Sequence, residues 1–197
     1  MKILLIGASG YVGRAAADAL AVRHELIGVT RHTTPSVDLT DPDSVHRLFD
    51  AVGELDLVVS TVGDVPFKPL AELDRADYLA GFIGKVLSQV DLVRIGTPYL
   101  RDGGSFTVTS GILAREPIAT GAAASLANGA IEAFVLAAAA ELPRSIRINA
   151  VSPTVLEEAN AYHTAFPGFI PVTSQRVGQA FVKSVEGIQT GRVLVVE

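Results

Sequence analysis

Short apolar runs recur along the chain between longer stretches of mixed character. The runs are rich in Ile, Val and Leu, and their near-continuous apolar character is typical of strands buried on both faces of a parallel sheet. They predict strands at Lys2–Ile6, Glu25–Val29, Leu55–Ser60, Ser105–Thr109, Ile146–Val151 and Arg192–Val196. The stretches between them predict helices at Gly10–Val22, Asp43–Asp50, Leu70–Leu100, Gly121–Leu142 and Ser174–Val185.

Strands that alternate with helices predict an α/β fold, with a single doubly wound parallel sheet of about six or seven strands and helices on both faces. The sequence Asp41–Ser44 supports one helix start, because proline is favoured just inside an N-cap. No repeat, linker or low-complexity tail interrupts the pattern, so we expect residues 1–197 to form one domain.

The segment GASGYVG, Gly7–Gly13, follows the first predicted strand and opens the first predicted helix. Glycines in such a place allow a tight turn, a close approach to a phosphate and close packing of the helix on the strand. The free N–H groups of a helix start attract an anion. We therefore predict a Rossmann dinucleotide site rather than a bare turn, with the pyrophosphate held by Gly7, Ser9, Gly10, Tyr11, Val12 and Gly13.

The second predicted strand ends in VTRHTT, where an NAD site usually places Asp or Glu on the ribose hydroxyls. Arg31 stands there instead and suits a 2′-phosphate, so NADP(H) is favoured over NAD. The alternative is a solvated loop arginine.

Composition limits the other classes of function. The chain is 49% hydrophobic and 19% charged, and it has no cysteine, which excludes disulfides and thiolate metal sites and fits a cytoplasmic location. His24, His32 and His46 lack metal-ligand spacing, so we expect no metal. The net charge of −5 without a basic block argues against a nucleic-acid partner.

Two apolar stretches could be mistaken for membrane or targeting segments. The apolar run at the N-terminus is too short for a signal-peptide core and stops at glycines. The longest tract, Ala122–Ala140, is mostly alanine and contains Asn128 and Glu132, so we expect no membrane span.

The chain resembles the short-chain dehydrogenase/reductase (SDR) family over nearly its whole length. VDLTD, Val37–Asp41, is similar to the family's DVTD, which implies that Asp38 and Leu39 lie by the adenine. STVG, Ser60–Gly63, stands in the place of NNAG beside the adenosine ribose, which implies roles for Ser60, Thr61, Val62 and Gly63. IRINAVSP, Ile146–Pro153, is the most specific match and implies that Pro153, Thr154 and Val155 pass the nicotinamide carboxamide.

The same resemblance implies that the family's Asn-Ser-Tyr-Lys tetrad is replaced. Aligned on IRINAVSP, the four positions fall on Lys85, Gly111, Ala124 and Asn128. The family's tyrosine protonates the alkoxide that forms when a carbonyl is reduced. No tyrosine stands between Tyr99 and Tyr162, so a shift of the alignment does not restore it.

Other groups could substitute for this acid. Lys85 and Ser110 are expected near the nicotinamide and form a candidate catalytic pair. The alternatives are that Lys85 is a lysine on a helix surface and that the Ser110 hydroxyl is a strand-end group whose hydrogen bonds are satisfied within the fold. Tyr162 and His163 lie where the family keeps its substrate loop, and could contact substrate or cover the pocket.

These features lead to one preferred function and two alternatives. The first is an NADP(H)-dependent oxidoreductase acting on a small carbonyl or alcohol substrate, with atypical or weak catalysis. The second is a non-catalytic NADP(H)-binding sensor or regulatory module, and the third is a scaffold without nucleotide. By the resemblance, helices over Ala122–Leu142 and Ile83–Leu100 would form the interface of a homodimer or homotetramer.

Overall fold

A computed structural model describes residues 1–197 and contains a single sheet of six parallel strands. The strands are β1 (Lys2–Ile6), β2 (Glu25–Val29), β3 (Leu55–Ser60), β4 (Leu100–Thr109), β5 (Arg147–Pro153) and β6 (Arg192–Val196). Their order across the sheet is β2-β1-β3-β4-β5-β6, and every neighbouring pair is parallel. The predicted doubly wound parallel sheet is therefore confirmed, with six strands.

Helices cover both faces of this sheet. They are α1 (Tyr11–Leu20), α2 (Pro42–Val52), α3 (Arg75–Gly81), α4 (Ser88–Gly96), α5 (Ala122–Glu141), α6 (Asn160–His163) and α7 (Ser174–Glu186). A π-helical segment, Phe82–Leu87, joins α3 to α4, and short 3₁₀ turns occupy Leu70–Glu72, Thr97–Tyr99 and Ile112–Ala114.

Each face has its own core. α1 and α7 cover one face over side chains such as Leu5, Leu57 and Phe181. α2, α4 and α5 cover the other over side chains such as Leu4 and Phe106. Runs of consecutive buried residues, as in Ile3–Ile6, follow from burial of both faces and explain the near-continuous apolar pattern of the strands.

Two helices show why their sequences suit their places. Asp41 caps α2 by accepting a hydrogen bond from the Asp43 amide, and Pro42 fills the first helical position, as predicted. α5 is long and apolar enough to cross a membrane by length and composition. In the structure its face containing Ala127, Ile131 and Val135 is buried against the sheet.

Two regions differ from the sequence prediction. β4 begins at Leu100 rather than Ser105, because its first residues pair irregularly with β3, with a register shift between Leu55 and Leu57. The predicted helix over Leu70–Leu100 is broken into α3, the π-helical segment and α4. The π-helical segment brings Lys85 and Gly84 towards the ends of β3 and β4.

The topology fixes where a ligand enters. The chain leaves β1 towards β2 on one side and then returns through α2 to β3 on the other side of β1. Such a reversal leaves a crevice at the carboxyl ends of the two central strands, and open α/β sheets bind ligands there.

Candidate cofactor and active site

A cavity of about 500 Å³ lies in this crevice, at the carboxyl ends of β1, β2 and β3. Thr61, which follows β3, donates through its hydroxyl to the main-chain oxygens of Ile6 at 2.9 Å and Gly7 at 3.1 Å. This double contact ties the end of β3 to the glycine turn. The main-chain oxygens of Ile6 and Gly7 at the floor of the cavity therefore already have a hydrogen-bond donor.

The start of α1 opens into the cavity without a cap. Gly10 makes no side-chain capping contact, and no acidic residue lies in the first turn. The N–H groups of that turn are free for an anion, and the turn itself carries no carboxylate that would repel a phosphate.

The glycines of the turn serve different purposes. Gly7 has a φ of 85°, which favours glycine, and a Cβ on Gly13 would overlap the Gly7 carbonyl oxygen. A Cβ on Gly10, by contrast, would meet only the Gly7 oxygen at 3.7 Å. The fold leaves space at Gly10 that a bound pyrophosphate can use, so the residues present fit a dinucleotide.

The loop after β2 presents two basic side chains to the same cavity. Thr33 accepts from the Thr30 amide at 2.8 Å, and Thr30 accepts from the His32 amide at 3.1 Å, so the turn is held by its own hydroxyls. Arg31 and His32 are exposed and line the cavity. The cation predicted at Arg31 therefore lies beside the space where an adenosine ribose would end.

Asp38 is a carboxylate that lines the same cavity as Arg31. It accepts from the Thr40 amide at 3.0 Å and the Thr40 hydroxyl at 2.8 Å. These hydrogen bonds lower the pKa of Asp38, and Arg31 adds a smaller effect in the same direction. Because Thr40 satisfies the carboxylate, Arg31 is left without an ion-pair partner.

The predicted cofactor residues divide into two groups. Those that line the cavity are Gly7, Ser9, Gly10, Arg31, Asp38, Leu39, Thr61, Val62 and Gly63. Those that do not line it are Tyr11, Val12 and Gly13 in the first turn of α1, Ser60 in β3, and Pro153, Thr154 and Val155 at the end of β5.

The cavity also has lining residues that the sequence did not indicate. Thr30, His32 and Thr40 are chain neighbours of predicted residues, and adjacency alone could have suggested them. Gly84 and Ser88 come from the π-helical segment and the start of α4. Helical periodicity cannot reveal a π-helical turn, so no pattern in the sequence pointed to these two.

Lys85 lies next to Gly84 and extends between the ends of β3 and β4. Its methylenes cover Gly63, where an added Cβ would lie 2.9 Å from Lys85 Cδ. Its Nζ donates to the Ser110 main-chain oxygen at 3.2 Å. Burial lowers the pKa of Lys85 to about 8. This lysine is thus an acid poised near neutral pH.

The two predicted catalytic residues, Lys85 and Ser110, are in contact only through the main-chain carbonyl of Ser110. The Ser110 hydroxyl points elsewhere and donates to Glu132 Oε1 at 2.7 Å. Arg115 pairs with both Glu132 oxygens at 2.6 Å and donates to the Ser152 hydroxyl at 2.7 Å. This network holds the turn after β4 in place. No sequence pattern indicated it, because its members are far apart along the chain.

Ala124 lies in an apolar cluster rather than beside a polar group. It is buried with Ile112 and Leu113, and the cluster is completed by Val65, Ile118, Phe166 and Phe169. The two phenylalanines belong to the loop after β5, with ring centroids 5.4 Å apart. Here Tyr162 is half exposed, and His163 Nε2 lies 2.9 Å from the Leu156 main-chain oxygen.

Comparison with known proteins decides the family. A family model described as enoyl-(acyl carrier protein) reductase matches residues 8–186. The chain belongs to the short-chain dehydrogenase/reductase family. Members of the SDR family bind nicotinamide cofactors.

Two curated relatives of this SDR chain are named as reductases and come from fungi. It is 31% identical over 144 residues to hydroxynaphthalene reductase-like protein Arp2 of Metarhizium brunneum, covering 68% of this chain and 54% of that protein. It is 30% identical over 126 residues to versicolorin reductase of Emericella nidulans, covering 61% of this chain and 48% of that protein. The chain spans about half the length of these relatives.

Solved structures match over the full length of the SDR chain. The protein lin1944 from Listeria innocua has a TM-score of 0.98 and 45% identity, with both chains covered completely. A small-chain dehydrogenase solved with NADPH has a TM-score of 0.85 and 23% identity, covering 100% of this chain and 96% of that one. At this identity the second match supports the fold alone.

Proposed function

We propose that the protein is an NADP(H)-dependent oxidoreductase that reduces a small carbonyl compound or oxidises the corresponding alcohol. The observation that carries this proposal is the cavity itself. It joins an uncapped helix start, an open Gly10 and a free Arg31 at the end of β2, where no acidic residue stands. A guanidinium in that place accommodates a 2′-phosphate, whereas an NAD site uses a carboxylate.

The adenosine half of the cofactor would lie between Arg31 and Asp38, and its pyrophosphate at the start of α1. The nicotinamide half would continue past Gly63 towards Gly84, Lys85 and Ser110. When bound, the nicotinamide supplies a hydride to the carbonyl carbon of the substrate.

Lys85 would then give a proton from its ammonium group to the carbonyl oxygen and regain one from solvent. An acid is most useful when its pKa lies near the working pH, and burial lowers the pKa of Lys85 to about 8. Ser110 would act through its carbonyl, which holds the ammonium at 3.2 Å, because its hydroxyl is engaged by Glu132. The apolar cluster around Ala124 would exclude water from this end of the site.

The cofactor assignment is tested by binding. Calorimetry with Arg31→Ala is expected to show NADPH affinity reduced by about 10–100-fold, the loss of charge-assisted hydrogen bonds, and NADH affinity unchanged. Arg94→Ala, which removes an exposed ion pair with Asp91 on α4, is the matched control and should leave both affinities as in the wild type. Equal losses for NADPH and NADH would contradict the role of Arg31.

Turnover is tested with NADPH and a panel of aldehydes, ketones, quinones and enones. Lys85→Met should lower the reduction rate by about 10²–10⁴-fold, the usual contribution of a general acid. The wild-type rate should fall as pH rises above about 8, because Lys85 loses its proton there.

A second candidate is a non-catalytic NADP(H)-binding sensor. The observation in its favour is that the Ser110 hydroxyl is engaged and Ala124 offers no acid, which leaves Lys85 as the one proposed donor. Tight NADPH binding without turnover of any compound in the panel would favour this candidate over the enzyme.

A further inference from the structure

The ammonium group of Lys85 depends on a single acceptor, the main-chain carbonyl of Ser110. Lys85 Nζ donates to that oxygen at 3.2 Å, and none of the ion pairs of the structure includes Lys85. A buried charge without a counter-ion is sensitive to each hydrogen bond that it makes. The position of this one carbonyl therefore affects how easily Lys85 keeps its proton.

Charged groups on the surrounding elements do not take over this role. The π-helical segment that contains Lys85 packs against α3, α4 and α5, and Gly84 in it packs against the loop after β3. Three carboxylates there are in ion pairs with other cations, namely Asp77, Asp91 and Glu132. The remaining titratable groups are exposed or half-buried and make no ion pair, namely Asp64, Arg75, Tyr78 and Glu141.

The side chain of Ser110 anchors the peptide that bears the carbonyl. The Ser110 amide donates to the Val151 oxygen of β5 at 2.9 Å, and its hydroxyl donates to Glu132 Oε1 at 2.7 Å, with the Asn128 main-chain oxygen at 3.3 Å. Gly111 follows in an extended conformation and has no side chain that could hold the peptide. The direction of the carbonyl is thus set by the Ser110 amide on one side and by the Ser110 hydroxyl on the other.

Glu132 is itself fixed by a second side chain. Arg115 Nη1 lies 2.6 Å from both carboxylate oxygens, and Arg115 Nη2 donates to the Ser152 hydroxyl at 2.7 Å. Ser152 is fully buried in β5, so the guanidinium is tied to the sheet. Glu132 therefore reaches Ser110 from α5 with little freedom to turn away.

We propose that Glu132 is a positioning residue: held by Arg115, it fixes Ser110 so that the Ser110 carbonyl faces the Lys85 ammonium. The link from Glu132 to Lys85 runs through Ser110. The catalytic consequence rests on the proposed function, in which Lys85 is the acid. The link itself belongs to the ligand-free protein and can be measured without turnover.

The titration of Lys85 in Glu132→Ala tests this role. The chain has four lysines, so protein labelled with ¹³C at the lysine ε-carbon gives four signals, and Lys85→Met identifies the relevant one. In the wild type this signal should report a pKa of about 8 for Lys85. In Glu132→Ala the titration midpoint should fall by about one pH unit, because the ammonium form loses a fixed acceptor.

Three further variants separate the hydrogen bond from the negative charge of Glu132. Glu132→Gln removes the charge and keeps an acceptor for the Ser110 hydroxyl, so the midpoint should move less than half as far. Ser110→Ala keeps the charge and removes the hydroxyl, so the midpoint should fall as in Glu132→Ala, and the double variant should fall no further. Glu141→Ala, at the exposed end of α5, is the matched control and should leave the midpoint unchanged.

The pH profile of NADPH-dependent reduction supplies the catalytic readout. The pH above which the rate falls should move down with the midpoint, so that Glu132→Ala is about fivefold slower at pH 8 with an unchanged KM. A residue that only supports the fold would lower the Tm without moving either the midpoint or the profile.

A wild-type midpoint in Glu132→Ala or in Ser110→Ala would overturn the inference. An equal shift in Glu132→Gln and Glu132→Ala would also overturn it, because the charge alone would then explain the effect. If Glu132→Ala does not fold, Ser110→Ala decides. If the wild type reduces no compound of the panel, the proposed function fails, while a shifted midpoint would still establish the link between Glu132 and Lys85.

Discussion

Lys85 carries its charge in a place that is largely removed from water. Its stem covers Gly63, and its only hydrogen bond is to the Ser110 carbonyl. Burial without a carboxylate partner disfavours the ammonium form, and this is why its pKa falls to about 8. A group that could act as the acid of the reaction is therefore expected to weaken the fold at neutral pH.

We predict that Lys85→Met stabilises the ligand-free protein at pH 7 by about 1–2 kcal/mol, since one unit of pKa shift corresponds to about 1.4 kcal/mol. In the folded protein Lys85 is protonated up to about pH 8, and in the unfolded chain up to about its ordinary 10.5. Between these values the unfolded chain binds more protons, so wild-type stability rises with pH relative to the variant.

Urea denaturation of both proteins at pH 7 and pH 10 measures this difference. The advantage of the methionine variant should shrink at pH 10. A variant that is less stable than the wild type at pH 7, or a gap that does not depend on pH, would show that Lys85 is better solvated than its surroundings indicate.

The residue scale also shows what the sequence could not provide. The resemblance placed Lys85 and Ser110 near each other, and the structure shows a contact between them. Nothing in the sequence indicated that the Ser110 hydroxyl would be taken by Glu132, which stands 22 residues later, or that Arg115 would join Glu132 to Ser152. Contacts between side chains on different elements depend on packing, which a local pattern does not record.

At the scale of elements, α1 packs closely against the end of β1 because glycines at the contact have no side chain. Gly13 allows the helix to touch the Gly7 carbonyl, and on the outer side Gly178 lets α7 approach the main chain of α1 at Ala15. The N-terminus of α1 is consequently fixed relative to the end of β1. Its free N–H groups are positioned before a phosphate arrives, so less ordering is required on binding.

Two alanine substitutions separate packing from binding in this turn. Gly13→Ala should cost about 2–3 kcal/mol of stability, because its Cβ would overlap the Gly7 oxygen. Gly10→Ala should change stability by about 0.5 kcal/mol or less. It should nevertheless reduce NADPH affinity by about tenfold or more, because its methyl group would occupy space beside the pyrophosphate.

Thermal unfolding and NADPH titration of the two variants check this pair. A Gly10→Ala protein with wild-type affinity would show that the phosphates do not approach that residue. A Gly13→Ala protein of wild-type stability would show that α1 can move away from β1.

Element types were more predictable than element boundaries. The strands could be read from the sequence because burial on both faces produces apolar runs that loops and amphipathic helices lack. The start of β4 could not, because Arg101–Gly104 has the composition of a turn while belonging to the irregular part of the strand. Glycine is needed at position 104, because a Cβ there would lie 2.6 Å from the Asp56 main-chain oxygen.

At the scale of the whole molecule, one group of exposed apolar side chains lies on two neighbouring helical segments. The π-helical segment and α5 present Phe82, Ile83, Leu87 and Leu126, each between 37% and 52% exposed. All of them except Phe82 lie within Ile83–Leu100 and Ala122–Leu142, the two ranges for which the family resemblance implied an isologous interface. We propose that two copies of the chain pack through this face, because a two-fold interface buries the same patch on both partners.

Light scattering coupled to size-exclusion chromatography tests the proposed dimer. The wild type should elute at about twice 20.6 kDa or a larger even multiple, and a Leu87→Glu, Leu126→Glu double variant at a lower mass. Val22→Glu, at an equally apolar and more exposed position after α1, should assemble as the wild type does. A wild-type monomer would exclude the interface.

The regular ladder between β3 and β4 stops at Val59 and Thr107, short of the site. Beyond it, side chains join the strands: Thr109 donates to the Ser60 carbonyl, and Gln89 bonds both the amide and the carbonyl of Thr109. On this side the ends of β3 and β4 are joined by side chains, whereas the end of β4 remains paired with β5 through the main chain at Thr109 and Ser110. A single substitution at Thr109 or Gln89 can therefore change how β3 and β4 are joined beside the site, while the sheet itself stays the same.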